Sequence, residues 1–311
     1  MIQEIDEKLN ALTAEFEEMK KDGSEIDLER LAEMGEEFDQ LAEKASELTP
    51  HDKVYLARHK KRPKVDDYIQ ALFQDLFVQR GDLLGKEDKS IFGGIATFHG
   101  EPVTVLGHRK GRDVNENIEY NFGMPEPEGY RKALRMMKQA EKFDRPIITF
   151  IDTPGAYPGL EAEAHGQMNA ISRNLAEMSA LRVPVIAIVT GEGSSGGALA
   201  IGVANSVFML ENAIYSVLSP EGFASILWKD SGRAAEAAEQ MRLTAQDLLG
   251  YGVIDGIIPE PIGGAHHDPE MVYRGIDEVL MKTLKKLRGL SGPELAKQRY
   301  EKFRHIDKKV L

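Results

Sequence analysis

Residues 190–200 read Thr190-Gly191-Glu192-Gly193-Ser194-Ser195-Gly196-Gly197-Ala198-Leu199-Ala200, where an apolar strand ends and a small-residue helix begins. The strand is Val183-Pro184-Val-Ile-Ala-Ile-Val-Thr190, and a second run of the same kind, Arg145-Pro146-Ile-Ile-Thr-Phe-Ile-Asp152, precedes the turn Thr153-Pro154-Gly155-Ala156-Tyr157-Pro158-Gly159. Pro146 and Pro184 lie 38 residues apart, as do Gly155 and Gly193, so strand and glycine turn repeat in register. Unbroken apolarity places both strands inside a parallel α/β sheet with both faces covered. A helix is expected between them at about 165–181. Upstream, the period-two stretch 93–108 predicts a hairpin turning at His99-Gly100, followed by a helix over about 127–143. Downstream, strands are expected at 206–210, 215–218 and 253–258.

The glycine turn fits three chemistries. Gly191, Gly193 and Gly196 spell G-x-G-x-x-G with Glu211 some 20 residues on, as at a dinucleotide site. Gly193 to Gly197 spell G-x-S-x-G, a nucleophile elbow at Ser195 with Asp255 and His266 or His267 downstream. The third reading uses the backbone. Glycines at a strand-to-helix junction let amide N–H groups converge on one spot, where they form an oxyanion hole. Against all three stands a packing role, in which the glycines only permit close helix–strand approach. The second turn at 153–159 favours the backbone reading, because two conformationally costly loops at strand ends of one sheet point to one site.

The 311 residues allow one large domain with extensions. With no cysteine, disulfides, thiolate zinc, iron–sulfur ligation and a cysteine nucleophile are excluded together. Met1 to Asn10 carries neither a basic nor an apolar leader segment, and no uncharged run reaches the roughly 18 residues of a membrane span, so a soluble cytoplasmic protein is expected. The net charge of −12 is unevenly placed: residues 1–48 hold five Lys/Arg against sixteen Asp/Glu, and residues 282–311 hold ten against three. An acidic front argues against nucleic acid as a partner.

Ile2, Ile5, Leu9, Leu12, Phe16 and Met19 form a helical stripe, which resumes at Leu28, Leu31, Met34, Phe38 and Leu41 after a break at residues 21–24, with Ser24 and Asp27 as a helix cap. This helical hairpin is expected to lay its apolar face on another subunit rather than on its own chain. Thr49-Pro50 starts a further helical segment, expected to run to about Phe77 with a break at Arg62-Pro63. The basic run from Arg58 to Lys64 reads as a solvated helix end, with phosphate binding as the alternative.

The order of IDTPGAYPG (151–159) before GEGSSGGALA (191–200), together with residues 121–132, 161–167 and Ser219-Pro-Glu-Gly222, resembles the crotonase-like superfamily. Within it, the chain is similar to the alpha subunits of bacterial acetyl-CoA carboxylase carboxyltransferases, which are biotin-dependent. Ser194, where that family usually has glycine, and Ala164-His165, where Glu-Arg is commoner, are departures. The resemblance implies an α/β crotonase-like ββα superhelix over residues 49–290, with the helical hairpin arm at 1–48 and a basic helical tail at 291–311. It implies carboxyl transfer from carboxybiotin on a biotin carboxyl carrier protein to acetyl-CoA, giving malonyl-CoA, the first committed step of fatty acid biosynthesis. A beta subunit bearing a zinc ribbon would complete a heterotetramer of two alpha and two beta subunits. Biotin carboxylase would use the ATP elsewhere, and this chain would hold no metal. The site residues so implied are Gly196 and Gly197 as the backbone oxyanion hole, with Gly155, Ala156, Gly193, Glu161 and Glu163 around the substrate. The competing functions are a serine hydrolase at Ser195 and a non-catalytic assembly subunit.

Overall fold

The computed structural model describes residues 1–21 and 28–306. The expected cap at Ser24 and Asp27, and the last five residues of the tail, lie outside the described residues. The chain opens with helices α1 (Ile2–Lys21), α2 (Leu28–Ala45), α3 (Pro50–Ala57) and α4 (Val65–Leu72), then strands β1 (Gln74–Val78), β2 (Ile91–Phe98) and β3 (Glu101–His108). Helices α5 (Val114–Glu119) and α6 (Pro127–Lys142) lead to β4 (Ile147–Thr153), α7 (Leu160–Ala164), α8 (Gln167–Ala180), β5 (Val185–Ser194) and α9 (Ser195–Leu199). The chain continues through β6 (Ser206–Leu210), β7 (Ile214–Ser216), α10 (Pro220–Trp228), α11 (Ala234–Met241), α12 (Ala245–Gly250), β8 (Gly256–Ile258), α13 (Pro269–Leu287) and α14 (Gly292–His305).

One sheet runs in the order β1-β2-β3-β4-β5-β6-β8, with β7 also paired to β5. The hairpin β2–β3 is antiparallel and turns at His99-Gly100, both at positive φ, as a two-residue turn matched to strand twist requires. From β3 onward the pairings are parallel. The 38-residue repeat is the register of the central pair: Ile147 faces Val185, and the offset holds to Ile151 facing Val189. Beyond it the register slips, so that Thr153 faces Gly193 and the two glycine turns leave the sheet side by side. Every residue of β4 and β5 is buried. Helix α6 covers β2 and β3 with Ala133, Met136, Met137 and Ala140, whose three and four residue spacing puts them on one face.

The segment after α4 departs from expectation. Gln74–Val78 is an antiparallel edge strand rather than a helix, with all five residues exposed and a bulge between Gln74 and Phe77 where Asp75 takes φ +50°. The run from Arg58 to Lys64 is also not a solvated helix end. Lys60 and Lys61 are exposed, whereas Arg62 and Lys64 are buried and Arg58 turns toward acidic side chains.

The arm is divided. Ile2, Ile5 and Leu9 bury against Leu41, Leu56, Tyr55 and Ile262 of their own chain, while Phe16, Leu28 and Phe38 remain exposed. The inner half of the stripe therefore packs on the core, and only the outer half is left for another subunit. Exchanging Leu9, Leu12 and Phe16 together for Ser is expected to loosen the arm and lower the assembly mass measured by light scattering on dilution; an unchanged mass would remove the arm from assembly. Among the described residues no helix is long and apolar enough to cross a membrane.

Candidate active site

The C-terminal ends of β4 and β5 open into a cleft of about 710 Å³, lined by residues 154–158, Ser195, Gly196 and Gly197, parts of α8, residues 217–219 and Glu221. Ligand sites of open α/β sheets lie at this end of the strands. The two glycine turns touch through their backbones. A Cβ on Gly197 would stand 2.6 Å from Ala156 N and 2.7 Å from Gly155 C, closer than any side-chain carbon is tolerated. Gly196 is less constrained, since a Cβ there would meet only the Ile171 side chain, at 3.3 Å.

Helix α9 is a single short turn whose first amides have no acceptor within the helix. Among the described residues no side chain caps them. Ser195 sits at φ +57°, the left-handed conformation that sharpens the exit from β5. In the second turn, Gly155 takes φ +141°, and its N–H already donates to Thr153 Oγ1 at 3.0 Å. Gly155 is therefore a shaping residue, and Ala156 carries the unengaged amide of that turn among the described residues. Gly193 does not line the cleft; it lies within β5 between Thr153 and Tyr215. Glu163 stands on the rim, while Glu161 is exposed on α7 and is not among the residues lining the cleft.

Sequence reading missed the polar frame beneath these loops. Buried Asp152 accepts the Glu192 N–H at 2.9 Å and pairs with Lys110 at 2.8 Å. Burial opposes its charge, but Lys110 and Lys64 outweigh burial and hold the carboxyl below its ordinary range. Gly191 is needed here because a Cβ would stand 2.5 Å from Asp152 Oδ1. Arg58 donates to Glu192 Oε1 at 2.7 Å and to Glu221 Oε1 at 2.8 Å, tying the floor of the cleft to α10. Gln167 donates to Pro125 O at 2.8 Å and to Tyr157 O at 3.0 Å, clamping the second turn. These partners lie from 10 to 163 residues apart, so no local pattern announces them.

The side-chain readings find no support in this geometry. His266 and His267 both bond Asp6, and Asp255 bonds the Val207 amide and pairs with Lys302, so none of the three joins Ser195 in a triad. Glu211 accepts from the Glu260 amide at 3.1 Å instead of presenting an acid to a ribose.

The family model for acetyl co-enzyme A carboxylase carboxyltransferase-like proteins matches residues 2–307. The chain belongs to this family. It is 53% identical over 307 residues to the acetyl-coenzyme A carboxylase carboxyl transferase subunit alpha of Geobacillus kaustophilus, covering 97% of this chain and 94% of the relative. It is 53% identical to that subunit of Bacillus subtilis over 309 residues, covering 98% and 95% respectively. Among solved structures, transcarboxylase 12S superposes with a TM-score of 0.60 at 20% identity, over 74% of this chain and 43% of that one. A Pseudomonas malonate decarboxylase hetero-tetramer in complex with coenzyme A gives 0.59 at 19% identity, over 75% and 90%. The fold of this carboxyltransferase chain is crotonase-like.

Proposed function

We propose that the cleft between the glycine turns performs its part of carboxyl transfer through backbone amides, those of Gly196 and Gly197 with Ala156 opposite. Carboxyl transfer to acetyl-CoA, giving malonyl-CoA, is the activity of this family, and the chain is its alpha subunit. Carboxybiotin, presented on a carrier protein, supplies the carboxyl group. Negative charge then develops on a carbonyl-type oxygen, and amide donors already fixed in place stabilise it without reorganisation. No side-chain nucleophile is required. The observation that carries this reading is the contact of Gly197 with the Gly155-Ala156 backbone, which brings two strand-end turns onto one wall of one cleft.

Met168 and Val217 of the cleft lining stand exposed at 70% and 77%, an apolar rim suited to closure by the beta subunit. That subunit, the carrier protein and biotin carboxylase complete the proposed assembly, and the cytoplasm is its proposed location.

Exchange of Ser195 separates this reading from a hydrolase. In the complex with the beta subunit, Ser195→Ala is expected to keep transfer from malonyl-CoA to biotin within about tenfold, because only the hydroxyl is lost and the amides stay. Ser195→Gly should do the same while relieving roughly 1–2 kcal/mol of left-handed strain. A fall of several orders of magnitude in both variants, with the fold intact by circular dichroism, would favour the nucleophile.

A further inference from the structure

Asp6 of α1, His59 of the α3–α4 connection, and His266 and His267 of the loop after β8 meet far from the glycine turns in sequence and outside the cleft lining. His266 Nε2 and His267 Nε2 both approach the same oxygen, Asp6 Oδ1, at 2.7 and 2.8 Å. His59 Nε2 lies 3.6 Å from Asp6 Oδ2, beyond hydrogen-bond reach. Its ring is 8% exposed and stacks on His266 at 4.0 Å, and its Nδ1 has no hydrogen-bond partner among the described residues. A buried imidazole nitrogen left without a partner is costly. The other nitrogen of this ring is aimed at a carboxylate already shared by two others.

The loop is built to bring these groups together. Gly263 and Gly264 take φ +80° and +106°, and a Cβ on Gly263 would stand 2.5 Å from Leu9 and 2.7 Å from His267. The glycine pair thus presses two consecutive histidines onto the arm, and Ala265 anchors the loop by donating to Glu260 at 2.8 Å. The ligand atoms of Asp6, His59 and His266 all lie within 4.8 Å of one another, and two imidazoles with a carboxylate are a donor set for a divalent transition metal, zinc above all, with the fourth position left to water. Ligand atoms around a tetrahedral zinc stand about 3.3 Å apart, as follows from bonds near 2.0–2.1 Å. The His59–Asp6 separation of 3.6 Å is already near that value, and the His266–Asp6 pair needs to open by only about half an ångström. One cation would engage His59, which hydrogen bonding leaves out, and would join three segments.

We propose that Asp6, His59 and His266 form a structural zinc-class site, with His267 holding Asp6 in position, that latches the N-terminal arm to the core. The site is separate from any metal a partner carries. With no cysteine in the chain, its ligation is entirely nitrogen and oxygen.

The test uses the full chain alone, treated with a chelator, dialysed and titrated with zinc chloride by calorimetry, with magnesium chloride as control. One zinc per chain in the micromolar range or tighter is expected, with a rise in thermal midpoint, because a ligand that binds only the folded state stabilises it. Cobalt(II) chloride should give the visible bands of a four-coordinate ion without thiolate charge transfer. Asp6→Asn, His59→Gln and His266→Asn are each expected to weaken zinc by at least about tenfold. His266→Asn is the safeguard should a more buried exchange unfold the arm, which circular dichroism would reveal. Absence of stoichiometric zinc on the parent chain, or equal binding by folded His266→Asn and the parent, overturns the proposal. Loss of zinc in that folded variant supports it.

Discussion

Exchange of Gly197 for valine is expected to lower carboxyl transfer about 100 to 1000-fold or more, the loss associated with one misplaced oxyanion donor. A Cβ at this position would overlap backbone atoms of Gly155 and Ala156, which have no rotamer by which to move aside. The two turns must separate by most of an ångström, and the amides on both sides move with them. Gly196→Ala is the contrasting case. Its Cβ meets one flexible isoleucine at 3.3 Å, so the rate should stay within about tenfold of the parent, the range of a small packing adjustment. The check is the rate of malonyl-CoA decarboxylation to biotin by the assembled complex, with mass and circular dichroism as controls. A folded, assembled Gly197→Val variant within about threefold of the parent would show that this glycine serves packing alone, since one lost donor costs about 2.7–4 kcal/mol.

Glu260→Gln is expected to destabilise the fold by about 3–5 kcal/mol, because it leaves a buried guanidinium without its counter-charge. Arg62 and Glu260 are both buried and joined by two hydrogen bonds at 2.9 and 2.6 Å, and Arg62 also donates to Thr190 O within β5. Burial alone would raise the Glu260 carboxyl, yet Arg62 and the amides of Asn212 and Ala265 outweigh it and hold it below its ordinary value. The sign follows from linkage: a carboxyl depressed on folding stabilises the protein above its unfolded pKa, and the contribution disappears as pH falls through the folded value. Urea midpoints should therefore separate parent and variant widely at neutral pH and converge in acid. Equal midpoints at neutral pH would mean that the pair contributes nothing net. The same pair connects the site to the loop that carries His266, so its loss should also reduce the order of the strand end that carries the glycine turn.

Some of this architecture is written locally in the chain. The 38-residue spacing of the prolines is the pairing offset of β4 and β5 over Ile147–Ile151, because a parallel register repeats whatever spacing its strand–turn–helix unit has, and the slip beyond it takes the glycines out of that register. Thr49 with Asp52 forms a capping box where Thr-Pro signalled a helix start. The error at Gln74–Val78 has an equally local cause. Leu76, Phe77 and Val78 continue an apolar helical pattern on paper, but at a bulged sheet edge all three face outward, and edge pairing leaves no buried face to produce alternation. The candidate site was half legible. The glycines could be read because backbone freedom is a property of single residues. Engagement of the Gly155 amide by Thr153 is a local two-residue contact within the turn, whereas the chain of charges from Lys110 through Glu192 and Arg58 to Glu221 depends on where distant segments meet, and composition does not encode that.

The most direct measurement removes one N–H without adding a side chain, weakening besides only the Gly196 carbonyl that accepts from Ala200. Glycolic acid in place of Gly197 puts an ester where the amide stands, adds no Cβ and leaves the contact with Ala156 sterically unchanged. With the assembled complex, kcat for transfer from malonyl-CoA to biotin is expected to fall about 100 to 1000-fold while KM for malonyl-CoA changes little, as loss of a donor that acts in the transition state requires. A kcat within about threefold of the parent, far short of the 2.7–4 kcal/mol per donor, would contradict backbone catalysis at this turn.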